Sequence, residues 1–68
     1  MKVELNGRPL DVPEGTTVAD LVREAGAVVD GRGVAVAVEG EVVPRGAWTE
    51  TRVAQGQSVE VLEARQGG

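Results

Sequence analysis

Only one stretch of this chain, residues 16–26, carries apolar side chains at helical spacing, with Val18, Leu21, Val22 and Ala25 at i, i+3, i+4 and i+7. The other apolar residues fall in short, Val-rich segments that alternate or are bounded by Gly and Pro. A β-branched side chain packs well on a pleated surface and crowds a helical turn, so the pattern describes a sheet with one helix to cover it. Both helix ends are marked. Thr17, with Asp20 three residues on, reads as an N-cap with a short capping box, and Gly26 suits a left-handed C-cap. Asp20, Arg23 and Glu24 fall on the other face, where a solvated surface is the ordinary role.

Val3 and Leu5 alternate with Lys2, Glu4 and Asn6, and Asn6-Gly7 suits the positive φ angles of a tight hairpin. A return strand over 9–12 places Leu10 and Val12 on one face, with Pro9 at its start, before Pro13-Glu14-Gly15 breaks it. After the helix, residues 27–33 form a flexible connection containing Asp30-Gly31-Arg32-Gly33. Val34, Val36 and Val38 alternate with Ala35 and Ala37, a strand apolar on both faces and therefore expected to be covered or to form an interface. Glu39-Gly40 turns the chain into Glu41-Val42-Val43, which Pro44 ends; residues 45–50 read as a single irregular turn around Trp48. Gln55-Gly56 makes the last turn. A final strand over 58–64 then carries Val59 and Val61 on one face and Glu60, Leu62 and Ala64 on the other.

The order hairpin, helix, strands, final strand predicts an α+β, β-grasp (ubiquitin-like) fold: a mixed sheet of four to five strands packed on one helix. In that arrangement the first and last strands run parallel at the sheet centre. Residues 1–64 are then one domain, and Arg65, Gln66, Gly67 and Gly68 a flexible C-terminal tail.

A chain of 68 residues buries only about 60% of its unfolded surface. It has no Cys and no His, so neither disulfides nor an ordinary zinc site is available, and stability must come from packed aliphatics around Trp48, the single aromatic residue. The same absences exclude a thiolate nucleophile, an imidazole base and a Ser-His-Asp triad. A net charge of -4 disfavours nucleic acid and anionic membranes and favours partners with basic docking surfaces. No charged-then-apolar leader opens the sequence and no apolar run approaches the roughly 20 residues of a membrane span, which predicts a cytoplasmic protein.

The chemistry then falls to the chain end. A carboxylate becomes a good acyl electrophile once it has attacked the α-phosphate of ATP, and two glycines leave that carbon open on both sides and thread a narrow channel. The plain alternative is a frayed end. Trp48 reads as a lid on the core, with an interface anchor as the other reading. Leu62 and Ala64, out of phase with Val59 and Val61, mark a partner-facing patch or ordinary surface exposure. Arg45 and Arg65 are either contacts to a partner's acidic groups or solvated cations.

Val42-Val43-Pro44-Arg45 followed by Trp48, the Gln55-Gly56-Gln57 turn, residues 59–62 and the Gly-Gly end together resemble the ThiS family, the sulfur carriers of thiamine-thiazole biosynthesis. The Asn6-Gly7 hairpin and the Gly15-Thr16-Thr17-Val18 helix entry with Leu21 extend the likeness over nearly the whole chain. The resemblance implies a protein co-substrate rather than an enzyme. Gly68 would be adenylated by a ThiF-type adenylyltransferase and converted to a thiocarboxylate with sulfur from a cysteine desulfurase or other persulfide source. A ThiG-type thiazole synthase would then receive the sulfur. Gly67 would give access to the tail, and Leu62, Ala64, Arg65 and Gln66 would meet the partners. No cofactor would be bound, with ATP and magnesium used by the adenylyltransferase. A carrier for molybdopterin or another metabolite, and a ubiquitin-like modifier, are the alternatives. The sequence departs from many relatives in flanking Leu62 with Glu60 and Glu63 and in its Gln55-Gly56-Gln57 turn.

Overall fold

The computed structural model describes residues 1–27 and 33–63. Five strands and a helix follow in the order β1 (Lys2–Leu5), β2 (Arg8–Asp11), α1 (Val18–Glu24), β3 (Val34–Val38), β4 (Glu41–Val43) and β5 (Ser58–Glu63), with a 3-10 turn at Arg45–Ala47. They form one mixed sheet in the order β2-β1-β5-β3-β4. β5 lies at its centre, parallel to β1 and antiparallel to β3. This is the expected β-grasp arrangement, with the sheet at five strands.

The first hairpin turns at Asn6 and Gly7, whose φ angles are +52° and +81°. Register pairs Leu5 with Arg8 and Glu4 with Pro9. Met1 and Val12 exchange both backbone bonds, at 2.7 and 2.8 Å. Alternation from that pair puts Glu4 and Pro9 at a position without ladder bonds, so the missing N–H of Pro9 costs nothing on this edge strand. The strand therefore opens at Arg8, one residue before Pro9, and ends at Asp11 rather than Val12.

Helix α1 is shorter than the expected 16–26. Thr16 and Thr17 pair with residues 51–53 instead, Thr17 in extended backbone: Val53 N–H donates to Thr16 O, Val18 N–H donates to Thr51 O, and Thr17 bridges Arg52. The capping box forms in full, Thr17 N–H donating to Asp20 Oδ2 and Asp20 N–H to Thr17 Oγ1. At the other end Gly26 takes φ +78°, its N–H bonds Arg23 O, and Ala27 N–H reaches back to Val22 O. That pair of bonds is the Schellman closure. It also corrects one core assignment. Ala25, the fourth residue of the apolar stripe, is exposed, because the helix has ended and the reversal at Gly26 sends Ala27 into the core in its place.

The core lies between α1 and one sheet face: Val18, Leu21 and Val22 pack with Val3, Leu5, Val36, Val59 and Val61. Each such side chain contributes roughly 1.5–3 kcal/mol on burial. Trp48 closes one side, its indole N–H donating to Val43 O at 2.9 Å and its own carbonyl accepting from Ala19 N–H at 3.2 Å. It is a core lid, not an exposed anchor. Val53, which has no strand pattern around it, is buried as well.

Candidate functional site

The sheet has a second face, turned away from α1. On β5 the side chains of Val59 and Val61 enter the core, so Glu60 and Leu62 point outward. The register aligns Leu62 with Ala35, Glu60 with Ala37, and Ala37 in turn with Val42. Leu62 and Val42, 66% and 75% exposed, thus share this face with the small side chains of Ala35 and Ala37 between them. They are the exposed large hydrophobic residues of the described chain. A shallow hollow lined by Gly33, Val34, Ala35, Leu62 and Glu63 lies at the end of β5. Lys2, Glu4 and Asp11 make the same face charged across β1 and β2, so its apolar residues are confined to β5, β3 and β4, where Glu60 lies beside them.

Leu62 is therefore where the alternation of β5 puts it. Ala35, Ala37 and Val42 are residues of this face that sequence reasoning misses, although the two-sided apolar pattern of 34–38 is a signal for the alanines. Ala64, Arg65, Gln66, Gly67 and Gly68 lie outside the described residues. Arg45 is exposed at the start of the 3-10 turn, and neither a salt bridge nor a side-chain hydrogen bond involves it among the described residues.

Among the described residues no cluster of acidic side chains is placed to hold a metal ion. No described helix is long and apolar enough to cross a membrane. Among the described residues the single perturbed titration belongs to Asp20, held below the ordinary 3.8 of an aspartate by the Thr17 backbone N–H and then by Arg23, whose guanidinium lies 2.8 Å away. It serves the helix N-terminus and lies on α1, which covers the opposite side of the sheet.

A profile of the ThiS family matches residues 3–68. The chain belongs to the ThiS family. Two solved structures agree, both of thiamine biosynthesis proteins from Geobacter metallireducens. The crystal structure of one named ThiS superposes with a TM-score of 0.77 at 34% identity, over the full length of both chains. A solution structure gives 0.75 at 36% identity, over all of this chain and 88% of the other. No curated protein matched the chain in sequence. At the level of its family the chain is thus a sulfur carrier of thiamine biosynthesis, a small carrier rather than an enzyme. A ThiS-family sheet that is apolar on its uncovered side, around the strand that leads to the chain end, is suited to meeting other proteins of that pathway.

Proposed function

We propose that this chain carries sulfur as a thiocarboxylate on Gly68 and delivers it to thiazole formation. Family membership carries the proposal, and the position of β5 supports it: the strand that continues into residues 64–68 is the central strand of the sheet. The remaining chemistry is that of an acyl group. A carboxylate oxygen of Gly68 attacks the α-phosphorus of ATP, the bond to pyrophosphate breaks, and an acyl-adenylate forms. The terminal sulfur of a protein persulfide attacks the acyl carbon and AMP leaves. A thiol then cleaves the resulting acyl disulfide, forming a new disulfide and leaving the thiocarboxylate. ATP, magnesium and persulfide sulfur belong to the partners, a ThiF-type adenylyltransferase and a cysteine desulfurase or similar source. A ThiG-type thiazole synthase takes the product, and the whole cycle is cytoplasmic.

In this reading residues 65–68 form the tail that enters the partner's active site, with Gly67 keeping the approach to Gly68 free of side chains. Leu62, with Ala64, Arg65 and Gln66 leading from it, meets the partner first. The apolar band from Leu62 to Val42 supplies the desolvated centre that a protein interface needs, and Glu60 beside it favours a basic neighbour on the partner.

Mass spectrometry tests the chemistry. Incubation with a ThiF-type enzyme, ATP, a persulfide donor and a thiol is expected to give a mass gain equal to replacement of one oxygen by sulfur. Deletion of Gly68 should abolish the gain with the fold intact. Wild-type chain left unmodified, while an established carrier is converted in the same mixture, would falsify the proposal. Transfer from the thiocarboxylate to a molybdopterin precursor instead of thiazole, or an isopeptide bond to lysine, would assign one of the other two uses of the tail.

A further inference from the structure

The parallel ladder between β1 and β5 is short. Its register pairs Glu4 with Ser58 and Leu5 with Val59. Glu4 N–H donates to Gln57 O and Asn6 N–H to Val59 O, each at 2.9 Å. In a parallel ladder a residue that donates to its neighbour also accepts from it two residues further along, so the carbonyl of residue 6 is the expected acceptor for Val61 N–H. Asn6, however, has φ +52° and has left the strand path to open the hairpin. The bond is made all the same. Val61 N–H donates to the side-chain Oδ1 of Asn6 at 2.8 Å, across 55 residues of sequence.

Glu39 reproduces this on the other flank of β5. It too has φ +52°, and it opens the hairpin between β3 and β4. Its N–H donates to Ser58 O at 2.9 Å, while Ser58 N–H donates to its carboxylate Oε2 at 2.6 Å, where a strand residue's carbonyl would accept. Asn6 and Glu39 are the two non-glycine residues with positive φ among the described residues. Both direct a side-chain oxygen to the backbone of β5.

We propose that Asn6 is a positioning residue for the C-terminal tail, its carboxamide standing in for a backbone carbonyl so that β5 is held on both flanks as far as Val61. Val61 stands seven positions before Gly68. Beyond it, the described partner of β5 is β3 alone, through Leu62 with Ala35 and Glu63 with Val34. Loss of the Asn6 bond leaves the last four residues of β5, 60–63, held on one side, so the strand end that leads into the tail is less firmly fixed. The role in tail delivery rests on the sulfur-carrier reading above; the hold on β5 does not.

Asn6→Gly and Asn6→Asp separate this role from turn formation. Glycine accepts positive φ at least as well as asparagine and so preserves the hairpin, but it has no acceptor; aspartate keeps an oxygen at the same reach. Amide hydrogen exchange, read residue by residue on the free carrier, is expected to show Val61 exchanging at least about tenfold faster in Asn6→Gly, with Val3 and Val36 unchanged and Asn6→Asp close to wild type. In adenylation by a ThiF-type enzyme, kcat/KM for Asn6→Gly should fall about three- to tenfold, and Asn6→Asp should restore it. Unchanged exchange at Val61 in Asn6→Gly overturns the hold on β5. Faster exchange with unchanged kcat/KM overturns the role in delivering the tail. Failure of the wild-type chain to be adenylated would instead defeat the sulfur-carrier reading, with the exchange result still deciding whether Asn6 secures the strand.

Discussion

Asp20 is involved in three contacts at once: it accepts the Thr17 backbone N–H, its own N–H is capped by the Thr17 hydroxyl, and its other carboxylate oxygen pairs with Arg23. The two that reach the carboxylate, from Thr17 N–H and from Arg23, favour its charged form. The carboxyl is therefore held below 3.8, the Thr17 backbone bond being the main cause and Arg23 the next. A depressed folded-state value makes its contribution to stability fully present above the unfolded value and lost as pH falls through the folded one. The site is solvent-facing and screened, so the effect on the whole molecule is small. A carboxyl-carbon NMR titration is expected to give Asp20 a midpoint under 3.8, moving up toward that value in Arg23→Ala, which removes the second cause and leaves the Thr17 backbone bond in place. A wild-type midpoint at or above 3.8 would contradict the capping account.

For an element, termination matters as much as periodicity. The seven residues of α1 are too few to be stable alone, and the helix persists because Val18, Leu21 and Val22 are buried and both ends are closed. A Cβ on Gly26 would meet no atom within 4 Å, so replacement by alanine tests backbone conformation alone. With φ at +78°, Gly26→Ala should lower unfolding stability by about 1–2 kcal/mol in urea titrations. Gly46→Ala, with equal space and no positive φ, should shift it by no more than about 0.5 kcal/mol. Equal effects from both would show that the Schellman closure is not what the glycine provides. The caps and turns of these elements were legible because each depends on neighbours within five residues. The fate of Ala25 was not, since the periodicity that placed it in the stripe carries no information about which turn is the last.

On the scale of the whole molecule, the sheet divides labour between its faces, one filled by α1 and the other left with Leu62 and Val42 exposed. Replacing either by glutamate removes apolar area from the proposed docking face and nothing from the core. Leu62→Glu and Val42→Glu are expected to leave urea stability within about 0.5 kcal/mol of wild type. Each should raise the KM of a ThiF-type enzyme for the carrier about tenfold, corresponding to about 1.4 kcal/mol of lost association. Unaltered KM in both variants would move the interface off this face. Sequence alone determined the strands' alternation, the helix caps, the hairpin turns and the outward phase of Leu62, because those are set by steric preferences and side-chain periods over a few residues. Tertiary structure decided the burial of Val53, the exchange of Ala25 for Ala27 in the core, the placing of Leu62 and Val42 on one face across three strands, and the use of Asn6 and Glu39 oxygens on β5. Those depend on segments distant in sequence arriving in one register, and a bond such as that of Asn6 to Val61 exists only after β1 and β5 have come together.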